Sequence, residues 1–365
     1  MMINLKKYVK SVVFLIGFLL ALQQSVFAQN EQISWGRAQH QDKEWYASDE
    51  AQRIADNVLL YQNENGGWDK NIDMADKLTS AEKEELRNQK LKKLGATIDN
   101  GATHTQLRYL AKIYNTTGEE KYKKAFLKGI DYLLEAQYDN GGWPQFYPIK
   151  QGYYEHITYN DGAMIGVMDL LRDIAIEKQD YSFVDVQRQR KSQEAIDKGL
   201  EVILATQVKV NGKLTIWCAQ HDKDDFSPAK ARAYELPSLS GKESTGIVEY
   251  LLQLENPSDE VKQSIRSAVQ WFQDHKVMGK KVVWVKDSTY TDGRDRIVIE
   301  DSAGGPLWGR FNDITTGTPI FVGRDGIVKY HISEIEQERR VGYNYIDNYA
   351  EELLKRDYPE WEKNH

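Results

Sequence analysis

KAFLKGIDYLLEAQ, Lys124 to Gln137, and EAIDKGLEVILATQ, Glu194 to Gln207, are two copies of one helix. Superposed, Phe126 meets Ile196, Gly129 meets Gly199, Ile130 meets Leu200, Leu133 meets Ile203 and Leu134 meets Leu204. The apolar residues recur at steps of three and four, the period of a helix with one buried face. Each copy runs into a Gly-rich turn that leads to Trp, as Asn140-Gly141-Gly142-Trp143 and as Asn211-Gly212-Lys213 continuing to Trp217, and Asn65-Gly66-Gly67-Trp68 is an earlier turn of the same kind. The Trp residues are 75 and 74 positions apart. Between turns there is room for one more helix, whose starts also repeat, as Asn100-Gly101-Ala102, Asp161-Gly162-Ala163 and Thr245-Gly246-Ile247. The unit is therefore a helical hairpin, and an amphipathic hairpin buries its face only against neighbouring copies. The expected fold is all-α: a partial (α/α) toroid of about three hairpins.

Working outward, helices are expected near 49–63, 102–115, 119–137, 162–176, 190–207, 244–254, 258–275 and 338–355. Val282 to Val285 and Arg296 to Ile299, around Asp292-Gly293, read as a β-hairpin. Ser302 to Gly326 is rich in Gly, Thr and Pro and reads as a long functional loop. The charged stretch 73–93 reads as a solvated helix or loop.

The N-terminus carries Lys6, Lys7 and Lys10, then an apolar run from Ser11 to Leu22, then Ser25-Val26-Phe27-Ala28. That order is a signal peptide over 1–28, with a mature chain near 29–365 folded as a single domain and secreted, to the periplasm or beyond. The run is too short to span a bilayer, so no membrane association is expected after cleavage. The lone Cys218 has no internal disulfide partner and reads as a core residue.

The formal net charge is −7, and losing the leader lysines makes the chain more acidic, which disfavours nucleic acid as a partner. A polyanionic ligand would have to meet a local cationic patch or a bound cation. Nine Trp and 21 Tyr suit sugar binding and a packed core equally.

The repeat places the turn before each inner helix on one rim, so Asp99-Asn100, Asn160-Asp161 and the segment before Thr245 should converge. Carboxylate and amide oxygens from separate segments are what Ca²⁺ takes. Asn100, Asp161 and Thr245 are equally good helix caps, and capping alone would explain them; Asp99, one residue earlier, has no such explanation. The loop Ser227 to Lys242 lies on the same rim and supplies Arg232 and Lys242, while Arg310 and Arg324 sit in the long loop, where guanidinium groups suit sugar carboxylates. Motifs for zinc proteases, phosphate loops and dinucleotides are absent from the sequence.

Six segments, TIDNGAT (97–103), YDNGGWPQFYP (138–148), ITYNDGAM (157–164), ARAYELPSLS (231–240), PLWGRF (306–311) and FVGRDG (321–326), together resemble family ten of the polysaccharide lyases, the pectate lyases with a partial α/α toroid. The resemblance implies calcium-assisted β-elimination of de-esterified polygalacturonate. It implies Arg232 as the base that removes the C5 proton, and Asp99, Asn100 and Asp161 as the rim that holds Ca²⁺. It further implies Arg310, Arg324, Lys242 and Tyr330 as ligands of sugar carboxylates. Residue chemistry alone would nominate Lys242 as base, because a lysine pKa moves more readily than an arginine's. The competing expectations are an α/α-toroid glycoside hydrolase using Asp99 and Asp161 as its carboxylate pair, and a non-catalytic pectin-binding protein.

Overall fold

The computed structural model describes residues 32–89 and 95–365, so the expected leader, 1–28, lies outside the described residues. The fold is mostly helical: α1 (Asp49–Tyr61), α2 (Ser80–Gln89), α3 (His104–Thr117), α4 (Glu120–Ala136), α5 (Ala163–Ala175), α6 (Val186–Thr206), α7 (Gly241–Leu252) and α8 (Asp259–Asp274). The described strands are short and pair two by two, without a closed barrel.

The two aligned helices are α4 and α6, and they bury equivalent faces. In α4 these are Ala125, Phe126, Gly129, Ile130, Leu133 and Ala136; in α6 they are Ala195, Ile196, Gly199, Val202, Ile203 and Thr206. The shared glycine is a matter of space. A Cβ on Gly129 would stand 2.5 Å from Leu107 of α3 and 3.1 Å from Trp68, and one on Gly199 would stand 2.8 Å from Met168 of α5 and 3.3 Å from Trp143. Each helix thus closes on the preceding helix and on the Trp of the preceding turn.

Side-chain hydrogen bonds repeat as faithfully as the apolar face. The indole nitrogens of Trp68, Trp143 and Trp217 donate to the carbonyls of Val58, Leu133 and Ile203 at 2.8, 2.9 and 2.7 Å. Gln62, Gln137 and Gln207 each donate twice, to a carbonyl in their own turn (Gly66, Gly141, Thr215) and to one in the next copy's helix (Ala125, Ala195, Ser264), at 2.8 to 3.0 Å. Each glutamine thus ties its turn to the next copy's helix. Trp308 extends the series, donating to Phe272 of α8 at 2.8 Å. Sequence reading missed this copy because the β-hairpin separates helix from turn. That hairpin is Lys280–Lys286 paired with Arg294–Glu300, Val282 opposite Val298, as expected.

Three expectations need correction. Thr245-Gly246 is not a helix start but lies inside α7, which begins at Gly241. The stretch 302–326 is threaded by short pairings: Trp308–Gly309 pairs with Ile346–Asp347, Phe321–Val322 with Val328–Lys329, and Leu239 bridges Asn312. The expected helix 338–355 is broken; Gln337–Gly342 is helical, then the chain extends through Tyr343 to Asp347. Burial of Tyr345 and its hydroxyl bond to the Val322 carbonyl, at 2.6 Å, outweigh local helix preference there. One large core follows the helices, and a second gathers Tyr234, Phe311, Phe321, Val322, Tyr345 and Ile346 under the loops. Cys218 is buried, as expected. Among the described residues no helix is long and apolar enough to cross a membrane.

Candidate active site

The turns ahead of α3 and α5 have the same backbone. Asp99–Gly101 and Asn160–Gly162 are single 3-10 turns with the middle residue, Asn100 or Asp161, at φ 51°. Asn and Asp tolerate this left-handed region better than other residues with a Cβ. The two turns pack against each other. Neither Asn100 nor Asp161 caps a helix, since α3 and α5 start without a side-chain cap. Their side chains do other work.

Asp161 is the hub of a charged cluster. One carboxylate oxygen accepts from Lys242 Nζ at 2.6 Å and Arg310 Nη2 at 3.1 Å, and the other accepts from the Asn160 amide at 2.8 Å. Burial would raise this carboxyl's pKa, but the charges of Arg310 and Lys242 overcome that and hold it below the ordinary range. Arg310 is 4% exposed and also meets Glu243 at 2.7 Å and the Asn160 carbonyl oxygen at 3.1 Å. Burial disfavours its charge, yet Glu243 and Asp161 keep it firmly protonated. Glu243 is fixed in turn by the Ser240 hydroxyl.

Arg232 also stands beside Tyr343. Its Nε and Nη2 grip Glu235 at 2.7 and 2.6 Å, its Nη2 donates to the Tyr343 hydroxyl at 2.8 Å, and that hydroxyl donates to Glu235 as well. The bonds to Glu235, more than any other influence, raise the Arg232 pKa. The Tyr343 ring lies 4.6 Å from the Arg310 guanidinium carbon and 5.7 Å from that of Arg232, so one aromatic ring joins the two arginines.

Asp99 is buried on the neighbouring turn. One oxygen is bound by Lys70 and, at 2.6 Å, by the Gln145 amide; the other, Oδ1, has no partner. Asn100 donates to Asn71 Oδ1 at 2.9 Å. Arg324 is exposed, tied to Glu338 at 2.5 Å, and lies 6.0 Å from the Tyr234 ring that Arg232 also faces, at 5.1 Å. Tyr330 is 57% exposed, just after the Val328–Lys329 strand, and no contact joins it to the cluster.

Of the residues expected from the sequence, Asp99, Asn100, Asp161, Arg232, Lys242 and Arg310 lie on adjoining segments, whereas Arg324 and Tyr330, expected as sugar-carboxylate ligands, lie at the margin and apart from the cluster. Sequence reading missed Glu235, Glu243, Lys70 and Tyr343. Glu235 was inside a quoted motif, three residues after Arg232, and Tyr343 was hidden in the expected helix. A concavity of about 1040 Å³ between α6, α8 and the 209–214 hairpin is lined by none of these residues. Charge, not volume, locates the site.

For calcium, the oxygen donors are right in kind and short in number. Among the described residues no group of three or more His, Cys, Asp or Glu is arranged to hold a metal ion. Asp99 Oδ1 is buried and has no partner among the described residues. Calcium takes 6–8 oxygens, so the rim fits it only jointly with oxygens from a bound ligand and water.

A family model described as pectic acid lyase matches residues 62–354. Among solved structures, the chain is similar to the family 10 polysaccharide lyase from Cellvibrio cellulosa, at 35% identity and a TM-score of 0.72, covering 86% of this chain and 93% of that one. It matches equally, at 35% identity and a TM-score of 0.73, a mutant of that lyase in complex with trigalacturonic acid. No curated protein sequence matches.

Proposed function

The chain belongs to the pectic acid lyase family, and from that premise we propose that it cleaves de-esterified polygalacturonate by β-elimination at the Asp161, Arg310, Arg232 cluster, outside the cytoplasm, on hairpins set as an arc of an α/α toroid. The observation that carries the reading is the shared Tyr343 ring, which Arg232 and Arg310 both face, with Lys242 joined to Arg310 through Asp161. That is the arrangement a uronate carboxylate requires.

The C5 hydrogen of a galacturonate is a poor acid until its carboxylate is neutralised, because removing it builds charge on that carboxylate. Arg310 and Lys242, held by Asp161, supply fixed positive charge where the charge builds, and one such contact is worth roughly 3 kcal/mol. Asp99 Oδ1 and Asn100 would hold calcium together with the sugar carboxylates, and the ion would add Lewis-acid neutralisation. Arg232 takes the C5 proton; the C–H electron pair becomes the C4–C5 double bond, and the C4–O bond breaks with its pair leaving on the departing chain. No water is consumed.

Arg232 must part from Glu235 before it accepts a proton, because that pairing keeps the guanidinium charged. Lys242 is bound to Asp161 and positioned as a cation. In the hydrolase reading, the lowered pKa of Asp161 would fit it for base and not for general acid.

Ultraviolet absorbance of the unsaturated product, from polygalacturonate with calcium or with chelator, tests the reading. Wild type should produce the signal only with calcium, and Arg232→Ala should lower the rate roughly 10²–10⁴-fold, the usual size of a general-base contribution, while trigalacturonate still binds. New reducing ends without absorbance would make the protein a hydrolase instead.

A further inference from the structure

Beside Asp99 the rim carries an aromatic and cationic strip to which the proposed chemistry gives no part. Its backbone is fixed to the Asp99 turn: Thr97 bridges Phe146, the Ile98 amide donates to Gln145 at 3.2 Å, and the Gln145 amide donates to Tyr154 at 3.0 Å. Phe146 and Tyr154 meet edge to face with centroids 5.2 Å apart, and Tyr153 lies 4.0 Å from Tyr154. All three rings are half-buried, with surface left to solvent.

Two lysines attend these rings, in different ways. Lys70 Nζ is 5.9 Å from the Phe146 ring and is bound to Asp99. Lys150 is exposed, with Nζ 4.1 Å from the Tyr154 ring and 5.4 Å from Phe146, and it meets no carboxylate among the described residues. After the hydrogen bond with Tyr153, the Lys150 and Lys70 charges help lower the Tyr154 hydroxyl pKa. At the other end the charges of Arg232 and Glu235 act on the Tyr153 hydroxyl. The strip thus runs from Asp99 to the Arg232 side of the site.

Partly exposed aromatic rings can cover the C–H faces of a sugar, and a lysine held over those rings is placed in advance for an anion. Lys150 is exposed and held over two rings rather than by a carboxylate, so an incoming anion can reach its ammonium. A neutral sugar would leave Lys150 without a role, and a nucleic acid strand would face the net negative charge. We propose that Phe146, Tyr154 and Lys150 form a further uronate subsite beside Asp99, with the rings under the sugar and Lys150 on its carboxylate. The subsite rests on the pectate reading and extends it to a neighbouring unit of the same chain.

Steady-state kinetics on polygalacturonate, with wild type, Lys150→Met and Lys150→Arg in one assay, tests it. Lys150→Met should raise KM about tenfold and change kcat by less than about twofold, since a distal contact serves ground state and transition state alike. Lys150→Arg, which keeps the charge, should restore KM to within about threefold of wild type. A wild-type KM in Lys150→Met, a loss falling as much on kcat as on KM, or failure of Lys150→Arg to restore it would overturn the subsite. Absence of unsaturated product from wild type would instead overturn the pectate reading, so the two failures are distinct.

Discussion

The turns Asp99-Asn100-Gly101 and Asn160-Asp161-Gly162 share a backbone and differ in the order of two side chains. In the first, the carboxylate precedes the left-handed residue, is buried, and is held by Lys70 and Gln145. In the second, the carboxylate is on the left-handed residue itself and is held by Lys242 and Arg310, while the preceding Asn160 turns its carbonyl oxygen to the same arginine. One turn offers a buried carboxylate with an open oxygen; the other organises cations. The repeat sets the two turns side by side, and on the proposed function the departures from the repeat build the chemistry. Positions that do one job in every copy show the converse: Gln62, Gln137 and Gln207 tie turn to next helix, and Trp68, Trp143 and Trp217 tie turn to previous helix.

That division can be broken in two ways. Trp143→Ala removes a fully buried indole and should cost about 3–5 kcal/mol of stability in urea unfolding, while the molecules that remain folded keep wild-type kcat. Loss of kcat with stability unmoved would place a repeated residue in the chemistry and erase the distinction. Glu235→Gln has a smaller effect. The Glu235 carboxylate favours the charged form of Arg232, so its removal lowers the Arg232 pKa and populates the neutral base at lower pH. The rising limb of the pH–rate profile should move to lower pH, by about one unit for each 1.36 kcal/mol of pairing lost. A stationary limb with a reduced rate would make Arg232 a fixed cation and not a base.

What could be read before the fold was known follows the same division. The helices α1, α3, α4, α5, α6, α7 and α8 lie close to their expected places because helical period and Gly-Trp punctuation are local signals. The fourth Trp turn escaped because the hairpin of Lys280–Lys286 and Arg294–Glu300 separates Trp308 from α8. The last expected helix failed because Tyr343 and Tyr345 answer to distant partners, Glu235 and Val322, that no local pattern announces. The same limit applied to the site. Asp99, Asp161, Arg232, Lys242 and Arg310 stood out as charged groups beside recognisable turns. Glu243 and Lys70 became visible only once packing showed whom they neutralise.

The most direct test is to exchange the order in one turn, combining Asn160→Asp with Asp161→Asn, and to measure the rate of unsaturated product formation on polygalacturonate. Composition and backbone stay the same, so the double variant should unfold like wild type. With the carboxylate moved to position 160, whose side chain already meets Arg310, Lys242 loses its carboxylate, and the rate should fall roughly 100-fold or more, as when one preorganised electrostatic contact is lost. A wild-type rate from the exchanged turn would mean that the departure from the repeat carries no chemistry.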